Sequence, residues 1–176
     1  MRRHATWIAR TLDVVLLVLG AAAGLGLLVA VPAMVGAWIR PEGVAGWLQP
    51  AGSGGRGIDL HHAGVPAFLF TELVGGLALL SVILWHVRRL MRSVPLGTPF
   101  AERNVRSLWW IAGAIAAGVA FDAVVPLLLS PSFRRAAGAD GPSVDMVGIV
   151  AVLVLLVQAE IVGEGARLRR DAELTI

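Results

Sequence analysis

Four apolar runs alternate with polar segments along this chain: Val14–Ile39, Val65–Trp85, Leu108–Leu129 and Met146–Gly163. A helix crossing a bilayer needs about 20 apolar residues, and each run comes close to that length or exceeds it. The pattern predicts an all-α polytopic membrane protein, with four transmembrane helices in a bundle forming a single membrane domain over residues 1–176. The intervening segments are then two outer loops, 40–64 and 130–145, and a central hairpin, 86–107, that joins spans two and three.

Orientation follows from the arginines, because cytoplasmic flanks of membrane helices are enriched in basic residues. The amino end, the central hairpin and the carboxyl end hold eleven of them, whereas the other two loops hold Arg40, Arg56, Arg134 and Arg135. Both termini and the central hairpin are therefore expected in the cytoplasm, as in a multi-pass protein of the cell's inner (plasma) membrane.

The basic lead MRRHATWIARTLD and the small residues Val35-Gly36-Ala37 admit a signal-peptide reading. The apolar run is longer than a signal-peptide core and Asp13 interrupts its start, so an uncleaved first span is preferred. Within this span Gly20 and Gly24 have the small-xxx-small spacing that lets helices approach in lipid, and Pro32 is expected to kink the helix or end its regular part. Residues 40–64 are rich in Gly and Pro and read as a loop, while Trp38 and Trp47 suit an interfacial belt.

The central hairpin carries the most specific pattern. Thr98 has the hydroxyl of a helix cap and Pro99 fits the first helical position, where no amide hydrogen is needed. From there Phe100, Asn104 and Leu108 recur on one stripe while Glu102, Arg103 and Arg106 face elsewhere. Glu102 and Arg106 have the spacing of a surface ion pair. Asn104, on the apolar stripe, calls for a buried partner such as a backbone carbonyl or a carboxylate.

Composition narrows the chemistry. The net charge is +3 and all fifteen basic residues are Arg, but they sit at the ends of apolar runs and not along one polar face, which argues against direct nucleic-acid binding. Codon bias in a GC-rich genome explains the absence of Lys. Without cysteine there is no disulfide, thiolate metal site or thiol nucleophile. Asp59, His61 and His62 are metal-ligand types, yet adjacent histidines point apart and no further His or Cys stands nearby to complete a shell; a solvated loop and no bound metal or cofactor is the expectation.

Charged groups inside apolar spans cost about 2.5–3.5 kcal/mol on insertion scales, so each calls for a partner or a purpose. Glu72 and Asp122 each lie seven residues from the outer end of their spans, about 10 Å deep at 1.5 Å per residue. If their faces meet, they can share a proton or hold a cation; the alternative is that each is protonated and packs by hydrogen bonding. At the inner side, Asp13 opens span one and Glu160 and Glu164 lie four residues apart on span four. Those two repel unless Arg167, or arginines such as Arg10, Arg103 and Arg106, neutralise them, giving an ion-pair network that ties the hairpin to span four. No GxSxG, HExxH or phosphate-cradling glycine loop is present, so no catalytic residue is assigned and the chain is expected not to be an enzyme.

Two segments carry a resemblance: Gly97-Thr98-Pro99-Phe100 with Asn104-Val105 and Leu108, and Glu164-Gly165-Ala166-Arg167-Leu168 with Glu173-Leu174-Thr175-Ile176. They resemble the paired signatures of an uncharacterised bacterial family of four-span membrane proteins whose members are commonly encoded beside a small helix-turn-helix regulator. The segment Ile161-Val162-Gly163 departs from that family in lacking an aromatic residue. The resemblance implies an architecture and a partner, not a reaction. The leading expectation is a non-enzymatic sensor or regulator whose inner face binds a small cytoplasmic regulator through Thr98, Pro99, Phe100, Asn104, Glu160, Glu164 and Arg167. Alternatives are a small transporter or ion-coupled permeation protein using Glu72 and Asp122, and an immunity-type membrane protein. Lipid is the surrounding partner in every case, with a homo-oligomer open.

Overall fold

The computed structural model describes residues 2–40, 58–60, 62, 64–93, 102–138 and 145–174. Those residues form five helices, α1 (Arg2–Ile39), α2 (Val65–Ser93), α3 (Glu102–Leu128), α4 (Pro131–Ala136) and α5 (Met146–Leu174), with no strand among them. Four of the five are long and apolar enough to cross a membrane, with mean hydropathy of 2.0 to 2.8 over their most apolar stretch. Only 6% to 17% of each such stretch is buried, and side chains such as Leu128 and Val147 are 78% and 80% exposed. Water does not tolerate apolar surface on that scale, so lipid is the solvent and the chain is a multi-pass membrane protein.

The helices outrun the apolar stretches. α2 continues eight residues beyond Trp85 to Ser93, and α3 starts at Glu102, six residues before Leu108. The described part of the central polar segment is therefore helical. Its residues favour this: Arg, Leu, Met and Glu have high helix propensity, Arg92 lies in the last turn of α2 and Glu102 in the first turn of α3, each complementing the helix dipole. Thr98, Pro99 and Phe100 lie outside the described residues, as do Trp47 and His61. Pro32 does not end α1, which runs on to Ile39, and Pro126 is likewise internal to α3. The Pro126 carbonyl accepts a hydrogen bond from Arg134 Nη1 at 3.2 Å, which satisfies one of the carbonyls left without a helical donor where α3 ends.

The chain divides into two compact units. The first comprises Met1–Ala22, Leu79–Ala117 and Met146–Ile176, and the second Ala23–Ala78 and Gly118–Asp145. In the first, α3 buries Asn104, Ser107, Leu108, Ile111, Ala112 and Ala114, a helical stripe that includes two members of the expected one. Leu16 from α1 and Ala159 from α5 are buried with them.

In the second unit α1 buries Ala23, Ala30 and Ala37. Their seven-residue spacing keeps one narrow face in contact, and alanine allows close approach. A β-carbon at Gly26 would stand 3.2 Å from Leu77 Cδ1, whereas one at Gly20 or Gly24 would meet nothing within 4 Å. The close face of α1 is thus the alanine stripe with Gly26, and not the expected Gly20–Gly24 pair; Gly24 is turned about 100° from Ala23.

The second unit also corrects the expectation that 130–145 is only loop. Ser130 accepts a hydrogen bond from Phe133 N at 3.3 Å and Pro131 takes the first helical position, so this Ser-Pro pair starts α4 by the capping logic expected of Thr98-Pro99. Gly138, at φ 62°, follows its end. Phe133 meets His62 and Phe68 edge-on, each with ring centroids 5.6 Å apart, and Asp59 N donates to the Ala136 carbonyl at 2.7 Å. Asp59 and His62 thus serve in holding α4 against the residues before α2. No group of three or more potential metal ligands converges among the described residues.

Candidate functional site

Asp13 is the centre of the first unit's charged cluster. Arg88 and Arg92 stand one helical turn apart on α2 and so share a face. Arg88 donates from Nε to Asp13 Oδ1 at 2.8 Å and from Nη2 to Oδ2 at 3.4 Å, a two-pronged grip on the carboxylate. Arg92 Nε adds a third contact to Oδ1 at 3.3 Å. Sequence reasoning placed Asp13 at the start of a span without identifying this pairing; the signal was an acidic residue at the margin of one apolar run and arginines at i and i+4 at the margin of the next.

Beside this cluster, the end of α2 is tied to the start of α3 through two buried side chains. Asn104 Nδ2 donates to Ser93 Oγ at 2.8 Å, and the Ser93 hydroxyl donates to the Leu90 carbonyl at 2.7 Å. Asn104 is 2% exposed and Ser93 3%. The expected partner of Asn104 was a backbone carbonyl or a carboxylate; this contact is a hydroxyl, which suits the position because Ser can donate to one group while accepting from another. Two turns before Ser93 on α2, His86 stacks on Trp110 with ring centroids 6.1 Å apart and planes 13° from parallel.

A cavity of about 340 Å³ opens here, lined by Trp85, Arg88, Arg89, Arg92, Ser93 and Arg103. Four of its lining residues are arginines, two of them braced by Asp13.

α5 contributes the remaining expected residues. Glu164 pairs with Arg167 at 3.6 Å, as the i,i+3 spacing suggests, while Glu160 is exposed. Glu102 pairs with Arg170 of α5 and not, as expected, with Arg106 of its own helix. The reason is packing: Gly163 and Ala166 leave a groove of about 400 Å³ walled on the other side by Glu102, Val105, Arg106 and Trp109, and a β-carbon at Gly163 would already touch Val105 Cγ2 at 3.9 Å. α5 lies beside α3 along this groove, and Arg170 reaches Glu102 across it.

In the second unit Glu72 and Asp122 are exposed on their helices. They stand close enough for the charge of Asp122 to act on Glu72, although no hydrogen bond joins them among the described residues. Thr71, next to Glu72, turns its hydroxyl back to the Ala67 carbonyl at 2.7 Å.

No curated protein and no solved structure matches this chain. A family model described as "protein of unknown function (DUF2975)" matches residues 57–176, taking in the arginine cluster of α2, the α2–α3 polar relay and the acidic and basic residues of α5. That match spans more than half of the sequence, and the chain belongs to this family.

Proposed function

We propose that this protein is a non-enzymatic regulator of the bacterial inner membrane, whose first unit faces the cytoplasm and binds a small helix-turn-helix protein. The observation that carries the reading is the ion pair between Glu102 and Arg170, which brings the start of α3 and the far part of α5 onto one surface. These are the two segments that carry the sequence resemblance, and both are arginine-rich, in keeping with a cytoplasmic position. The reading is non-enzymatic because the sequence offers no nucleophile, base and orienting group in a known spacing.

The test is co-purification. The regulator encoded beside the gene, co-expressed with the tagged membrane protein, is expected to elute with wild type and to be lost or strongly reduced with Glu102→Arg or Glu164→Ala. A regulator that never elutes with wild type, or that elutes equally with all forms, defeats the proposal. A reporter fused after Ile176 is expected to be active only in the cytoplasm.

The proximity of Glu72 and Asp122 favours a second reading, a small ion-coupled permeation protein. Flux or a pH-dependent phenotype that disappears in the Glu72→Gln/Asp122→Asn double variant would support it over the regulator.

A further inference from the structure

We propose that the arginine-lined cavity at the end of α2 is a binding site for a phosphate-bearing anion, a phospholipid headgroup or a soluble phosphate compound. The proposal stands apart from the regulator reading and uses different residues. The cavity, about 340 Å³, falls within the range of about 300–1,000 Å³ common for small-ligand sites. Its wall carries Arg88, Arg89 and Arg92 from α2 and Arg103 from α3. Guanidinium groups are planar forks that meet phosphate oxygens two at a time.

Arginines that serve only as topology signals spread their heads outward into water. Here four of them line one space, and Asp13 fixes two of the four. Arg88 is gripped at both Nε and Nη2, which orients it before any ligand arrives, and Arg92 is held at Nε. Asp13 places one negative charge against the two positive ones of Arg88 and Arg92, so that part of the wall keeps a positive excess. The carbonyl end of a helix does not itself attract anions; the side chains must supply the affinity.

Trp85 points to a headgroup as one source. Its side chain lines the cavity, the residue is 68% exposed, and it stands where the apolar part of α2 gives way to arginines. Tryptophan with basic residues at that margin is the composition of the headgroup layer, where basic pockets between helices recognise anionic lipids.

The experiment uses the full chain in nanodiscs of phosphatidylcholine alone. One arm adds phosphatidylglycerol in steps, the other inorganic phosphate, and binding is read by native mass spectrometry and by the shift in thermal unfolding. Saturable binding in the lipid arm alone assigns a headgroup site, and in the phosphate arm alone a soluble ligand. The Arg89→Gln/Arg103→Gln variant is expected to weaken binding by about tenfold or more, the loss of charge-assisted hydrogen bonds. Arg89→Lys/Arg103→Lys keeps the charge that sets topology and insertion, and it is expected to weaken binding by at least about threefold through loss of the forks. Arg40→Gln/Arg135→Gln removes equal charge at residues that do not line the cavity and is expected to leave binding unchanged. Absence of binding in both arms, or equal weakening by the cavity and control variants, overturns the proposal.

Discussion

Asp13 accepts a 2.8 Å hydrogen bond from Nε of Arg88, a residue 75 positions away in the sequence. The pair is half-sheltered, with 31% and 23% of the two side chains exposed, and it joins α1 to α2 by a charged contact at the edge of apolar surface. A carboxylate at that margin without its arginine would need water or lipid headgroups to solvate it. Asp13 is therefore best understood together with Arg88, and neither as a topology signal alone.

The first prediction tests that unit. Asp13→Asn and Arg88→Gln are each expected to lower the thermal midpoint by roughly 2–4 °C, the scale of a modest loss in a chain of this size. The double variant is expected to lose less than the sum of the two, because the second change removes a partner already gone. Added salt should narrow the gap between wild type and variants, since the pair is partly exposed. Additive losses in a double-variant cycle would show that the contact contributes nothing.

A second prediction concerns Ser93 and Asn104. Ser93→Ala takes away the hydroxyl that accepts from Asn104 Nδ2, and helix-to-helix hydrogen bonds in membrane proteins average about 0.6 kcal/mol, with a maximum near 1.7. Loss in that range is expected, read by unfolding in mild detergent. Asn104→Leu is expected to be worse, since it forces a branched apolar chain into a site 2% exposed beside a serine that loses a donor. A Ser93→Ala protein as stable as wild type would mean that the relay between α2 and α3 is only geometric.

Which parts of this architecture were legible in the sequence follows from what each depends on. Helix number depends on runs of apolar residues, and these are written plainly. The burial of Asn104 and Leu108 depends on helical spacing, also visible. Partner choice depends on which helices approach, and spacing along one helix does not show that: Glu102 pairs with Arg170 across the α3–α5 groove and not with its own i+4 neighbour. The same holds for α1, where the contact face was sought at glycines and lies at alanines seven residues apart. α4 escaped notice although Ser130-Pro131 repeats the cap signal recognised at Thr98-Pro99, because a six-residue helix in a Gly- and Pro-rich segment leaves no periodic pattern.

The glycines of α1 separate by substitution. Gly20→Ala and Gly24→Ala meet open space and gain helix propensity, so both are expected to be neutral or to stabilise by up to about 0.5–1 kcal/mol. Gly26→Ala brings its methyl within 3.2 Å of Leu77 Cδ1, a flexible side-chain end, and the gain and the crowding should nearly cancel. Gly26→Phe cannot be relieved by one leucine rotamer and is expected to cost about 1–3 kcal/mol. Equal tolerance of phenylalanine at positions 24 and 26 would contradict the packing described for the second unit.

The last prediction concerns Glu72 and Asp122, and its sign separates a packing role from a functional one. Charged residues deep in a span cost about 2.5–3.5 kcal/mol on insertion scales, and the charge of Asp122 acts on Glu72 at like sign. Replacing one should relieve both its own desolvation and its repulsion of the neighbour; replacing the second then relieves desolvation alone. Glu72→Gln is accordingly expected to stabilise the protein at pH 8, and Asp122→Asn to add less on top of it than it gives alone. The check is a double-variant cycle of unfolding in detergent at that pH. If instead the carboxyl groups are structural donors, satisfied by neighbouring groups in their protonated forms, each neutral amide should leave stability unchanged and the coupling between them should vanish. Stabilisation with loss of a transport phenotype would mark the pair as charges retained for function at the expense of stability, whereas stabilisation with no phenotype would leave the first unit as the part of the chain where function must be sought.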